Sequence, residues 1–117
     1  MTYVDGFVLA VKKDKLDAYK ALTEIAGPVW KEHGALNYVE CAGEDVPYGQ
    51  VTSFPRAVNA TDDEVVIFSW IVHASRQARD VTNAKVMADP RIAASMKDMP
   101  FDGKRLIFGG FETIFEA

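Results

Sequence analysis

The side chains of this sequence that could do acid–base chemistry sit inside apolar runs. Asp5 interrupts YVDGFVLAV beside Gly6, where burying a carboxylate is costly unless something answers its charge. It reads either as an acid–base group of raised pKa in a cavity, with Gly6 allowing close approach of a ligand, or as one half of an ion pair with an arginine across the sheet or a subunit interface. His73 ends the run EVVIFSWIVH on the strand phase of Ser69, placed to be a general base, a haem ligand or a histidine at a sheet rim. The other histidine, His33, precedes Gly34 and suits a helix C-terminus, where a donor meets the last carbonyls. Glu40 and Glu112 fall on mixed strand phases and belong with Asp5. Asp5, His73 and Glu40 are therefore the candidate catalytic residues, for proton transfer. Tyr38, Ser69, Trp70, Arg79 and Asn83 are the candidate ligand-binding residues. Arg79 and Asn83 stand one helical turn apart, a spacing that suits either a bound carboxylate or a solvated surface. Trp30 and Trp70 occupy core-facing phases that packing accounts for.

Other chemistries find no support. The two histidines have no i, i+3 or i, i+4 ligand partner, so no metal site is expected, and no motif implies a cofactor. The single cysteine, Cys41, permits neither a disulfide within the chain nor a cysteine-based zinc or iron–sulfur site, and its strand phase reads as a small buried hydrophobe. No P-loop, GxGxxG, HExxH or GxSxG pattern occurs. The net charge of −4 has the wrong sign for nucleic acid or an anionic membrane surface. By segment, residues 1–74 carry −5, residues 75–105 carry +3 and residues 106–117 carry −2. The bases of the middle segment alternate with Asp80, Asp89, Asp98 and Asp102, as on a solvated helix face. The opening MTYVDGFVLAV has no basic leader, and no stretch approaches the ~20 apolar residues of a membrane span. A cytoplasmic protein is expected.

With 49% hydrophobic and 26% charged residues, the chain should form one globular domain over residues 1–117, with a core of limited size. Residues 3–11 predict a strand. Asp14 then predicts a helix N-cap, and Leu16, Tyr19, Leu22, Ile25, Ala26, Val29 and Trp30 recur at helical spacing. Gly27-Pro28 should kink or split that helix, and Gly34 should close it. Residues 35–42 predict a second strand. In residues 50–63 Pro55 leaves an edge strand or an ordered loop, treated as an insertion. Residues 64–73 give the strongest strand pattern and should be central. Ser75 caps a helix to about Ala88, residues 91–97 add a short helical stretch, and residues 105–115 form the last strand. This βαββαβ order is that of a ferredoxin-like α+β sandwich with an antiparallel sheet.

Neither face of the central strands alternates with charge. Val4, Gly6, Val8 and Ala10, with Val66, Phe68, Trp70 and Val72, make one face small or apolar, while the opposite face is mixed. Two helices cover one side, so the other is expected to meet a second copy in a homodimer. Gly109-Gly110 suggests a bulge or bend in the last strand. The blocks YVDGFVLAV, VWKEHGAL, YVEC, VTSFPRAV, FSWIV, NAKVMADPR, MPFDGKR and IFGGF, in this order, resemble the YbaA-like family of small bacterial proteins of unknown function, within the dimeric α/β-barrel superfamily. That resemblance implies a ferredoxin-like protomer in a homodimer and no settled activity. The superfamily's chemistries suggest a cofactor-independent oxygenase or isomerase acting on a small apolar or aromatic molecule. The alternatives are a non-catalytic small-ligand-binding or stress-response module, and a haem-binding monooxygenase resting on His73 and Trp70.

Overall fold

The computed structural model describes residues 1–117. Strands β1 (Tyr3–Lys12), β2 (Asn37–Ala42), β3 (Glu64–His73) and β4 (Ile107–Glu112) form one antiparallel sheet in the order β2-β3-β1-β4. The two most β-branched runs, β1 and β3, pair centrally along their whole length, from Tyr3 opposite His73 to Lys12 opposite Glu64. With helix α1 (Leu16–Glu32) after β1 and helix α3 (Arg76–Met87) after β3, the chain has the ferredoxin-like α+β fold.

Local signals decide most boundaries, and several depart from expectation. Residues 13–15 form a tight 3-10 turn, so α1 begins at Leu16 and Asp14 does not cap it. Pro28 lies inside α1 without splitting it. Glu24, whose carbonyl loses its helical partner, is exposed, and water can satisfy it. Gly34 closes the helix at φ 126°, and a side chain there would meet the Thr82 hydroxyl that bonds the His33 carbonyl. Residues 50–63 hold a short helix, α2 (Phe54–Ala57), instead of an edge strand, because the Ser53 side chain accepts from Arg56 N and Pro55 fits a first turn. Ser75 caps α3, and Asp89 caps a separate short helix, α4 (Pro90–Ser95). The last strand starts only at Ile107, since residues 103–105 form another 3-10 turn capped by Asp102. Gly109 and Gly110 stay in register with Gly6 and Asp5, so they make no bulge. Gly110 instead leaves room for the Tyr3 ring, which a Cβ there would strike.

The helices cover the mixed face. Leu9, Val11 and Ile67 pack there with Tyr19 of α1, while Val29, Val86 and Ile92 bind α1, α3 and α4 together. The apolar face is the open one. Only its end is covered, where the segment from Gly43 to Asp63 brings Val58 onto Ala10 and Val66, and Phe54 edge-on to Phe68. Trp70 and Phe68, 5.6 Å apart, continue that face, so Trp70 does not project into the helix-covered core. Cys41 lies on the same side of the edge strand and is exposed, in contrast to its expected burial, because no element covers β2 there.

Arg105 joins distant parts of the chain. It grips both carboxylate oxygens of Glu64 at 2.8 and 2.6 Å, donates to the Asn59 carbonyl and reaches Asp102. The Glu64 side chain is only 3% exposed, and its hydrogen bonds from Arg105 hold its pKa down to about 2. Arg105→Met should therefore destabilise the fold by about 3 kcal/mol in urea denaturation, and Arg105→Lys should recover only part of the loss because it lacks the bidentate fork.

Candidate functional site

The pleat puts Glu40, Ser69, Phe7 and Phe108 in one row across the helix-covered face, from β2 to β4. Tyr38, Ile71, Asp5 and Gly110 form the next row, and His73 and Tyr3 the row beyond. The candidate residues thus share a face, but they divide into two separate groups.

The first group surrounds a cavity of about 210 Å³ between α1, α4 and the sheet. Its walls are apolar, from Phe7, Leu9, Trp30, Ile71, Phe101 and Leu106. Met87, Met96 and Met99, each at least 39% exposed, stand on its solvent side. Among all the residues bordering it Glu40 is the only charged one. The Tyr19 hydroxyl donates to Glu40 Oε1 and the Tyr38 hydroxyl to Oε2, each at 2.7 Å. Burial, reinforced by the Glu40 charge, pushes both phenols well above the ordinary tyrosine range, so both stay protonated as donors. Gly27 permits this arrangement: a Cβ there would sit 3.1 Å from the Tyr38 ring. Ser69 and Trp70 also border the cavity; Trp70 borders the open trough on the far face as well. Tyr19 is the site residue that periodicity alone assigned to packing. The available signal was a phenol where the apolar helix face needed only a ring, since a buried hydroxyl requires a partner.

The second group lies apart from the cavity, with Asp5 and His73 buried and Arg79 half-buried. Arg79 Nη1 donates to Asp5 Oδ1 at 2.7 Å, and its guanidinium lies 4.9 Å from the Tyr3 ring centroid. His73, wholly buried, has Nε2 3.2 Å from Asp5 Oδ2, although neither ring nitrogen is aligned with a hydrogen-bond partner. Neither Asp5 nor His73 borders the cavity. Trp30 connects the groups, its ring edge-on to His73 at 6.1 Å and in the cavity wall. Burial lowers the His73 pKa, outweighing the opposing pull of Asp5.

Asn83 is exposed on α3 and Glu112 on β4, and neither joins a group. His33 stands at the C-terminus of α1 as expected, but only its backbone N–H meets the last carbonyls, while its ring turns to a carboxylate. Its Nε2 lies 2.8 Å from Asp89 Oδ2, and Arg91 bridges Asp89 to Glu32. Glu32, His33 and Asp89 have the proximity of metal ligands, but the Arg91 guanidinium already answers both carboxylates.

The chain thus sets a carboxylate clamped by two phenols at the edge of an apolar cavity on an α+β, ferredoxin-like fold. Residues 2–103 match the family described as "Protein of unknown function (DUF1428)", and the chain belongs to that family. It is 53% identical over 116 residues to the uncharacterised protein YbaA of Escherichia coli strain K12, covering 99% of both chains, and equally to YbaA of Shigella flexneri. Among solved structures it is similar to Rv0793 from Mycobacterium tuberculosis, at a TM-score of 0.61 and 16% identity over 100% of this chain and 99% of that one. It is also similar to a putative antibiotic biosynthesis monooxygenase from Nitrosomonas europaea, at 0.61 and 12% over 97% and 91%. These likenesses establish the fold.

Two outcomes follow from the two groups. Gly27→Ala should push the Tyr38 ring off Glu40 and lower stability by roughly 1–3 kcal/mol, measured by thermal denaturation. The His73 pKa is lower folded than unfolded, so the unfolded chain binds the additional proton. Stability present above the unfolded value of about 6.5 should therefore be lost as the pH falls toward the folded value. The melting temperature should drop between roughly pH 7 and 5, and His73→Gln should flatten that slope.

Proposed function

We propose that this protein is a cofactor-independent enzyme of oxygenase or isomerase type, acting on a small neutral aromatic molecule held between sheet and helices, with Glu40 as the proton-transfer residue. The observation that carries this reading is a lone carboxylate, clamped by two phenols, at an otherwise apolar cavity. At the packing density of a protein interior, that space suits roughly ten to twelve non-hydrogen atoms, the size of a bicyclic ring system. No lysine, arginine or histidine borders it, so an anionic ligand would meet Glu40 without a counter-charge. The same donor set does not fit haem. The cavity offers no histidine ligand and no cation for propionates, and His73 is enclosed with Asp5 and Arg79. Asp5 and His73 are assigned to holding the sheet's end rather than to the reaction.

The assembly belongs to the same reading. The open face is an uncharged trough of about 750 Å³ lined by Val4, Val8, Phe68, Val72, Ile107 and Phe111, among others. A second copy related by a two-fold axis presents the same surface and covers both at once, which supports a homodimer. A reducing, cytoplasmic setting accords with the sole and exposed thiol of Cys41. No helix is long and apolar enough to cross a membrane.

Calorimetric titration tests the pocket. 2-Naphthol should bind at least about tenfold more tightly than 2-naphthoate, and Ala26→Phe, which fills the cavity from α1, should abolish binding. Equal binding of the anion, or of haemin at the wild-type site, would contradict the reading. Binding without turnover of any candidate would favour the alternative of a non-catalytic ligand-binding module. Sedimentation equilibrium should give twice the chain mass of 12.9 kDa for the wild type and the single mass for Phe111→Glu.

A further inference from the structure

Ser69 stands directly opposite Glu40 on the neighbouring strand and is 5% exposed. Cross-strand pairing holds two such side chains with Cβ atoms about 5 Å apart. The remaining hydroxyls around the cavity are committed. Tyr19 and Tyr38 donate to Glu40, Thr23 donates to the Lys20 carbonyl, and Ser95 donates to the Ile92 carbonyl. Ser69 alone among them makes no hydrogen bond within the chain, and its side chain borders the cavity. The fully buried side-chain atoms left without a partner are the His73 ring nitrogens alone, so the Ser69 hydroxyl is not sealed in the core and stays free to bond a molecule in the cavity it borders. The polar centre of the cavity therefore offers one acceptor, Glu40, beside one uncommitted hydroxyl donor, Ser69. A ligand that uses both must present an acidic hydrogen within a few bonds of an oxygen acceptor.

We propose that the cavity takes a neutral, enolisable carbonyl compound, Glu40 removing the proton α to the carbonyl while the Ser69 hydroxyl donates to the carbonyl oxygen. This rests on the pocket reading above and deepens it toward isomerisation. The α C–H bond breaks and its proton passes to a Glu40 carboxylate oxygen. The bond's electron pair becomes the carbon–carbon double bond of an enolate, and the carbonyl π pair moves onto the oxygen that Ser69 hydrogen-bonds. Return of the proton to the same carbon gives exchange, and return to a conjugated carbon shifts a double bond. Neither outcome consumes an oxidant or a reductant. Tyr19 and Tyr38 hold the carboxylate on line, and each Glu40 oxygen keeps a second lone pair to accept the substrate proton.

The test uses 2-tetralone, a bicyclic ketone of matching size, in deuterated buffer with the full-length protein. Proton NMR follows loss of the benzylic α-hydrogens, and calorimetry follows binding of 2-tetralone and 2-naphthol. The wild type should accelerate exchange above the buffer rate, and Glu40→Gln should remove the acceleration. Ser69→Ala should lower it on the order of a hundredfold with little change in binding, and Ser69→Thr, which keeps a hydroxyl, should restore part of it. Circular dichroism confirms that each variant is folded. Exchange undiminished in Ser69→Ala would overturn the role of Ser69. Binding of 2-naphthol with no acceleration of 2-tetralone exchange would overturn this inference and leave the pocket reading standing, whereas failure of both compounds to bind would overturn both.

Discussion

A carboxylate half-buried against a sheet must be answered by donors, and in this protein the donors to Glu40 come from two different elements. Tyr38 reaches it from two residues away on β2, and Tyr19 reaches it from α1. The second of these bonds fixes how α1 lies over the sheet. The Tyr38 ring occupies the notch that Gly27 leaves in the helix, so the same contact sets rotation as well as position. The Tyr19 ring also packs against Leu9, Val11 and Ile67, so one residue carries both the apolar contact and the polar one, and the cavity lies beside it. The clamp residues Tyr19, Tyr38 and Glu40 all border the cavity.

A second polar cluster, beginning in the neighbouring row, fixes the Tyr3–His73 end of the same face. Arg79 brings α3 down onto Asp5, and Asp5 lies against His73 at the end of β3. Such a cluster adds little net stability over an apolar one but penalises any arrangement that separates its members. Gly110 contributes by leaving room for Tyr3, which flanks the arginine. Trp30 lies against His73 and in the cavity wall, so that wall rests on the second cluster.

The strands were legible because β-branched runs with period two have few alternatives, and β3 matches its expected limits residue for residue. Less legible was which face the helices take. Both faces of β1 and β3 are apolar enough to be buried, and periodicity says only that two faces exist. The deciding residues are the polar ones: Asp5 and Glu40 need donors, and helices bearing Arg79 and Tyr19 bring them. The open-face positions of Cys41 and Trp70 follow from this choice of face. Pro55 by itself allows an edge strand or an ordered loop, whereas Ser53 two residues earlier makes it a helix starter, a case of two local rules competing at one position. The division of Asp5 and His73 from Glu40 depends on register between β1, β2 and β3, which no local pattern encodes.

The segment from Gly43 to Asp63 crosses to the otherwise bare side of the sheet and rests Phe54 on Phe68 and Val58 on Ala10 and Val66. It thereby gives a surface of nearly uniform chemistry an uneven profile, raised over one end of the central strands and low toward Phe111 and Ile107. Apolar surfaces attract without regard to direction, and shape must supply the direction. The raised end acts as a stop: any body settling on this side is displaced toward β4, and alignment along the strands is decided by steric relief rather than by charge.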